Sequence, residues 1–133
     1  MTDTLDVLVV DDDDFNIKLL SEVCRGIGHD PRPARDGTEA LAAVGEQVPD
    51  LVLLDVMLPG IDGFEVLSRL RSESTTAELP VIMVTAMQDP TARVRAVDLG
   101  ADDFVNKPFR IKDLQARIHS VIAQRALLRE MDA

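Results

Sequence analysis

The chain has little of what secreted, membrane-spanning and DNA-binding proteins need. A single cysteine among 133 residues excludes an internal disulfide. No apolar run approaches the roughly 20 residues of a membrane helix, and the N-terminus lacks a basic segment followed by an apolar one. Basic side chains are outnumbered by acidic ones, 14 to 24. We therefore expect a cytoplasmic, single-domain protein that does not bind nucleic acid directly.

The acidic excess is confined to one half of the chain. Residues 1–63 contain 14 acidic and 4 basic side chains, whereas residues 64–133 contain 10 of each. Such a charge distribution favours a bound cation or a partner with a basic surface. The one cysteine, Cys24, lies on the apolar side of a helical pattern, so we assign it to the core and expect no chemistry from it.

Apolar runs alternate with helical patterns along the chain. The runs at residues 6–10, 50–54 and 80–85 are nearly continuous, as expected of central parallel strands covered on both faces. A weaker strand is predicted at 103–106. Residues 31–34 contain two prolines, which only an edge strand tolerates. The alternation predicts a doubly wound (βα)5 sheet of the α/β class with helices on both faces.

Helix signals occupy the segments between these strands. Asp62 and Asp89 are predicted N-caps, and Gly100 is a predicted stop. We also expect Asp14 to cap the first helix and Asp13 to be solvated. Helices are predicted near 15–27, near 38–47, after Asp62, over 90–99 and over 111–130. Ile27 is expected on the buried face of the first helix. The apolar side of the last helix contains Ile111, Leu114, Ile118, Val121, Ile122 and Leu128.

Five polar side chains stand where the predicted strands end. They are Asp11 and Asp12 after the first strand, Asp55 after the third, Thr85 at the end of the fourth and Lys107 after the fifth. Because parallel strands end at the same edge of a sheet, these groups are expected to face one another. Three carboxylates form a hard-oxygen site suited to Mg²⁺, and the amine and hydroxyl suit phosphoryl transfer.

Four motifs together resemble the receiver domain of two-component response regulators. They are VVDD at 9–12, LLDVMLPGIDG at 53–63, VTA at 84–86 and KPF at 107–109. The resemblance covers residues 5–123. It implies a flavodoxin-like fold, and the strand order 2-1-3-4-5 is carried over from the family.

The resemblance also implies a role for each site residue. Asp55 is similar to the carboxylate that accepts a phosphoryl group from a phosphohistidine of a sensor histidine kinase or phosphotransfer protein. Mg²⁺ (or Mn²⁺) would be held by Asp12, by Asp11 through water, by Asp55 and by the carbonyl of Met57. Lys107 would pair with the phosphoryl oxygens, and its peptide bond to the following proline is expected to be cis.

Switching and lifetime are implied at further positions. Thr85 and Phe104 would form a switch in which the hydroxyl moves toward the phosphoryl group and the ring turns inward, although Phe104 also fits a simple core role. Met57 and Met87 occupy the positions that tune the phosphoryl lifetime, and neither can orient water. The helix over 90–99, the fifth strand and the last helix would signal to a downstream protein or output domain.

The last helix is longer than one layer of a small domain needs. We divide the chain into a receiver domain, 1–123, and an extension, 124–133, that is either a solvated helix end or a linker to an output domain. Residues spaced like a coiled-coil seam, interrupted by Arg125, also suggest a phosphorylation-dependent homodimer. Because no output module fits in this length, the signal would leave through protein contacts.

Two other functions use some of the same residue types. A haloacid-dehalogenase-type phosphatase would use Asp11 as nucleophile and Asp13 as acid/base, but Phe15 does not fit its motif, and Asp102 and Asp103 precede the lysine instead of following it. A flavin or nucleotide carrier would need a phosphate cradle rich in glycine, serine and threonine after the first strand, where four aspartates stand instead.

Overall fold

Five parallel strands form one sheet in the order β2-β1-β3-β4-β5, the order that the resemblance implies. The computed structural model describes residues 4–132. The strands are β1 (Asp6–Val10), β2 (Asp30–Ala34), β3 (Leu51–Leu54), β4 (Val81–Thr85) and β5 (Asp103–Asn106). The helices are α1 (Asp14–Arg25), α2 (Gly37–Glu46), α3 (Gly63–Ser72), α4 (Pro90–Asp98) and α5 (Ile111–Asp132). The predicted α/β class and all ten elements are therefore confirmed.

Buried apolar side chains cover both faces of the sheet. Side chains alternate along a strand, so Val7 and Val9 pack with α1 and α5 while Leu8 and Val10 pack with α2, α3 and α4. Strands β3 and β4 are buried along their whole length. This two-sided burial explains why the central strands are continuous apolar runs in the sequence.

Strand β2 is an edge strand, as its prolines predict. It pairs only with β1, with Pro31 opposite Val7 and Pro33 opposite Val9. Proline has no N–H to donate to a ladder, and an edge strand needs donors on one side only.

The cap of the first helix differs from the prediction. Asp13 is the N-cap: its backbone is extended and its carboxylate accepts the N–H of Phe15 at 3.2 Å. Asp14 lies in the first helical turn, and its exposed carboxylate pairs with Arg35 at 3.0 Å. The assignment of Asp14 as the cap is wrong. Asp13 is exposed to solvent, as predicted, but it also serves as the cap. Both aspartates are good caps, and the backbone becomes helical one residue earlier than the sequence pattern suggests.

The other helix signals act close to where they were predicted. Asp62 caps α3 by accepting the N–H of Glu65 at 3.0 Å, and Asp89 caps α4 with Pro90 in its first turn. Helix α1 ends at Arg25, and Gly28 adopts a φ of 82° shortly after it.

The length of α5 is confirmed, but part of its predicted apolar face is exposed. Leu114, Ile118 and Val121 are buried in the core of the domain, whereas Ile111 is 46% exposed and Leu128 50% exposed. The middle of the predicted coiled-coil seam is therefore occupied within the domain, because Leu114, Ile118 and Val121 face the sheet. In the described part of the chain no helix, α5 included, is long and apolar enough to span a membrane.

Candidate functional site

The five predicted polar side chains lie at the carboxyl edge of the sheet. Register explains the arrangement: Val10 pairs with Leu54, so the next residues, Asp11 and Asp55, stand side by side on adjacent strands. Thr85 pairs with Asn106, which places Lys107 just beyond the end of β4. Because the strand order brings β3 between β1 and β4, residues far apart in the chain converge.

Three carboxylates form a tight cluster at this edge. Oxygen atoms of Asp11, Asp12 and Asp55 all lie within 4.8 Å of one another. Asp11 is 1% exposed and Asp55 6% exposed, whereas Asp12 is open to solvent. Like charges this close repel one another, so the cluster needs a cation to be stable with all three groups ionised.

Lys107 supplies one such cation and bridges two of the carboxylates. Its Nζ donates to Oδ2 of Asp11 at 2.5 Å and to Oδ2 of Asp55 at 3.0 Å. Burial alone would lower the pKa of Lys107, but its hydrogen bonds to Asp11 and Asp55 and their charges outweigh burial and raise that pKa. The ammonium form is therefore the one held between the two aspartates. The Lys107–Pro108 peptide is cis, as expected.

Backbone turns fix the orientation of the two buried carboxylates. Oδ1 of Asp11 accepts the N–H of Asp13 at 3.0 Å, and Oδ1 of Asp55 accepts the N–H of Met57 at 3.0 Å. Aspartate commonly bonds the backbone two residues on in such turns. Each carboxylate thus has one oxygen held by its own loop and the other directed to Lys107.

A glycine lets helix α3 approach the loop that carries Asp55. A Cβ on Gly63 would collide with the carbonyl oxygen of Asp55, and the Gly63 N–H donates to the carbonyl of Val56 at 2.9 Å. Any larger residue would push the start of α3 away from the loop. No sequence signal other than its place at the end of the motif at 53–63 points to this contact of Gly63.

Thr85 and Phe104, the two predicted switch residues, are both buried. Thr85 is 0% exposed, and its Oγ1 accepts the N–H of Met87 at 3.2 Å. The ring of Phe104 is 3% exposed, lies in the core cluster on the α4 side of the sheet, and has the guanidinium carbon of Arg93 5.2 Å from its centroid. The ring therefore occupies the inward position in this structure.

The two methionines of the site differ in their surroundings. Met57 is 55% exposed, and Met87 is half-buried against the core cluster that contains Phe104. Asn106 was not predicted as a site residue. Its side-chain amide donates to the carbonyl of Met87 at 2.7 Å and, more weakly, to that of Thr85 at 3.4 Å. The only sequence signal was its place directly before Lys107.

The donor set at the carboxylate cluster fits a small divalent cation. Carboxylate oxygens are hard ligands, and Mg²⁺ is usually bound through one or two carboxylates with remaining positions left to water and phosphate. Among the described residues, this is the one group of three acidic, histidine or cysteine side chains with ligand atoms close enough to share an ion. Asp12, exposed and without an ion pair in the described residues, is open to such an ion.

Comparison with known proteins gives a consistent result. A family model described as "Response regulator receiver domain" matches residues 7–119. The chain is 46% identical over 114 residues to the DNA-binding response regulator MtrA of Mycobacterium tuberculosis. The aligned region covers 86% of this chain and 49% of that protein. The chain thus spans about half the length of the curated relatives it matches.

Solved structures with the same fold carry related descriptions. A putative response regulator from Chloroflexus aurantiacus superposes with a TM-score of 0.87 at 38% identity, covering 91% of this chain and 99% of that one. NtrX from Brucella abortus superposes with a TM-score of 0.91 at 33% identity, covering 98% of this chain and 30% of that one. These matches do not favour the phosphatase or the flavin carrier. The carboxylate of Asp13, moreover, caps α1, where the phosphatase would need it as acid/base.

Proposed function

Because this chain belongs to the receiver domains of two-component response regulators, we propose that Asp55 accepts a phosphoryl group from the phosphohistidine of a sensor kinase or phosphotransfer protein. The observation that carries the proposal is the Lys107 ammonium held between Asp11 and Asp55. A cation bonded directly to Asp55 stands where phosphoryl oxygens would arrive, and it offsets the repulsion between them and the aspartates.

The transfer is a nucleophilic displacement at phosphorus. A carboxylate oxygen of Asp55 forms the new O–P bond, the P–N bond to the donor histidine breaks, and the bonding electron pair stays with the imidazole. The product is an acyl phosphate. Lys107, with its raised pKa, remains an ammonium through the reaction and pairs with the phosphoryl oxygens. The Met57 N–H holds Asp55 in one orientation and so reduces the entropy lost on reaching the transition state.

The acidic cluster is the proposed cation site. Asp11, Asp12 and Asp55, with the main-chain carbonyl of Met57, would hold Mg²⁺ or Mn²⁺. When bound, the cation neutralises negative charge that develops on the phosphoryl oxygens. The chain assists its own phosphorylation and dephosphorylation in this proposal, as a signalling domain and not as an enzyme with a separate substrate.

Thr85 and Phe104 are the proposed switch. Phosphorylation would draw the Thr85 hydroxyl toward the phosphoryl group and stabilise the inward ring of Phe104 over an outward one. The surface that changes comprises α4, β5 and α5, and a downstream protein or output domain would bind there. MtrA is described as DNA-binding. We do not propose DNA binding by the present chain, because this chain has a net charge of −10.

Chemical phosphorylation tests the proposal directly. Acetyl phosphate with Mg²⁺ should add one phosphoryl group to the wild-type chain, detected by intact mass, and chelating Mg²⁺ should prevent it. Asp55→Asn should remain unlabelled. Asp36→Asn is the matched control: Asp36 caps α2, asparagine caps a helix equally well, and labelling should be unchanged. Labelling of Asp55→Asn at the wild-type rate would refute the assignment.

A further inference from the structure

Asn106, the last residue of β5, links this strand to the loop that follows Thr85. Its side-chain amide donates to the carbonyl oxygen of Met87 at 2.7 Å, a good geometry, and lies 3.4 Å from that of Thr85. The backbone N–H of Lys107 also donates to the carbonyl of Thr85, at 2.9 Å. The end of β5 is therefore tied to the end of β4 by a main-chain hydrogen bond and to the β4–α4 loop by a side-chain hydrogen bond.

Both backbone polar groups of Met87, the N–H and the carbonyl, are consequently hydrogen-bonded. Its N–H donates to Thr85 Oγ1 at 3.2 Å, and its carbonyl accepts from Asn106. A hydroxyl oxygen has two acceptor lone pairs and one proton. With one lone pair bonded to Met87, Thr85 keeps its proton free to donate elsewhere. Asn106 thus influences the direction of the Thr85 hydroxyl without touching it.

We propose that Asn106 is a positioning residue for phosphorylation, holding the Met87 backbone so that the Thr85 hydroxyl is ready to donate to a phosphoryl oxygen. This inference rests on the proposed function. Its physical basis is preorganisation: a hydroxyl held in place costs less entropy to engage than one on a free loop. Asn106 itself has no contact with Asp11, Asp55 or Lys107 side chains among its hydrogen bonds.

The expected effect is that of one hydrogen bond. Replacing Asn106 with leucine keeps the approximate volume and removes the amide donor. The affinity of the chain for beryllofluoride in saturating Mg²⁺ should fall roughly 3- to 10-fold, the range that the net free energy of a single hydrogen bond gives. Titration followed by ¹⁹F NMR suits this chain, because it contains no tryptophan or tyrosine for fluorescence.

A double-mutant cycle separates positioning from general damage. If Asn106 acts through Thr85, Asn106→Leu should change beryllofluoride affinity less than twofold in a Thr85→Ala background. A purely structural role would give the same loss in both backgrounds. Equal losses, or no loss in the wild-type background, would overturn the inference. Asn106→Ala carries the same test if the leucine variant fails to fold.

A matched amide elsewhere provides the control. Gln115 on α5 donates its amide to the carbonyl of Val23 on α1 at 3.1 Å, the same kind of side-chain to backbone bond away from the site. Gln115→Leu should leave the affinity within twofold of wild type. Asp55→Asn distinguishes the two proposals. If Asp55→Asn binds beryllofluoride as tightly as wild type, the proposed function fails. If Asp55→Asn does not bind beryllofluoride but Asn106→Leu binds it like wild type, only the role of Asn106 is refuted.

Discussion

At the residue scale, the four consecutive aspartates have four different environments. Asp11 is buried and bonded to Lys107, and Asp12 is exposed within the carboxylate cluster. Asp13 caps α1, while Asp14 lies in its first turn, where a negative charge also interacts favourably with the helix dipole. The sequence indicated that this run holds a cation. Which of Asp13 and Asp14 caps the helix depends on a one-residue difference in where the helix begins.

Cys24 lies in the core, as its place in the helical pattern predicts. It is fully buried in the core cluster between the sheet, α1 and α5. Burial raises the pKa of the Cys24 thiol to about 12, although the charge of Arg25 lowers it slightly. The thiol stays protonated near neutral pH, and a protonated, inaccessible thiol is a poor nucleophile.

We expect the phosphoryl group on Asp55 to be long-lived because neither Met57 nor Met87 can orient water. Met57 is 55% exposed, so water reaches this side of the site, but the thioether of Met57 cannot orient that water for attack. Met57→Asn and Met87→Glu should each speed hydrolysis by up to roughly 10²-fold, the lower end of the range that general acid–base assistance contributes. Loss of radiolabelled phosphate over time measures the rate.

A control and a contrary result define this test. Met131→Gln alters an exposed methionine on α5, away from the site, and should leave the hydrolysis rate unchanged. Decay of the wild-type acyl phosphate within seconds, with no acceleration in either site variant, would contradict the expectation.

At the element scale, an ionic network fastens α5 to the amino edge of the sheet. The Asp102 carboxylate accepts from Arg71 at 3.3 Å, from Arg125 at 2.8 Å and from the backbone N–H of Val81 at 2.8 Å. Arg125 also pairs with Glu78 at 2.7 Å. Arg125 interrupts the apolar pattern of α5 in the sequence, and this network explains the interruption.

Removing Asp102 should destabilise the fold markedly. Arg71 and Arg125 are only 16% and 15% exposed at their side chains, so Asp102→Ala leaves two poorly solvated guanidinium groups without that partner and one N–H without an acceptor. We expect a loss of about 2–4 kcal/mol in the free energy of unfolding, measured with urea.

An exposed ion pair gives the comparison for Asp102. Glu22 pairs with Arg25 on the surface of α1, with both side chains more than half exposed. Glu22→Ala should change stability by about 1 kcal/mol or less. Similar losses for the two variants would show that the network around Asp102 adds nothing beyond a surface pair.

His29 ties the starts of β1 and β2 together and makes stability depend on pH. Its Nδ1 accepts the N–H of Leu5 at 3.2 Å, which requires an unprotonated Nδ1. Burial lowers the pKa of His29, partly offset by the charges of Asp50 and Asp30. A lowered pKa in the folded state means that the stabilisation is present above the unfolded-state pKa of about 6.5 and is lost as the pH falls through the folded-state value.

The pH effect is measured as a difference between variants. Urea unfolding of wild type and His29→Gln should differ most at pH 7.5 and converge as the pH falls below 6. His119→Gln removes the other histidine, which is exposed and whose charge also lowers the pKa of His29, so this variant should weaken the pH dependence without abolishing it. A difference between wild type and His29→Gln that stays constant over this pH range would contradict the assignment.

At the scale of the whole molecule, α4 and the start of α5 present apolar side chains to solvent. Val94, Val97 and Ile111 are 59%, 60% and 46% exposed. Val94 and Val97 lie one helical turn apart on α4, and exposed apolar side chains at this spacing suggest a protein-binding surface. We expect beryllofluoride with Mg²⁺ to move the molar mass in solution toward that of a homodimer, measured by light scattering after size exclusion.

Substitution of two exposed valines tests whether this surface forms the dimer. Val97→Asp should abolish the shift by placing a charge in the proposed interface. Val48, 47% exposed on the loop after α2, is the control, and Val48→Asp should leave the shift intact. A mass that stays monomeric with beryllofluoride bound would rule out dimerisation as the response.

The sequence by itself determined the elements, the edge position of β2 and the edge of the sheet where the acidic cluster lies. Hydrophobic periodicity, proline and parallel connections are local properties, and they leave few alternatives. Only the tertiary structure decided that Leu114 and Ile118 pack into the core while Ile111 and Leu128 stay exposed, and that Asn106 holds Met87. Such contacts join residues on different elements, and their geometry follows from packing that no short stretch of sequence encodes.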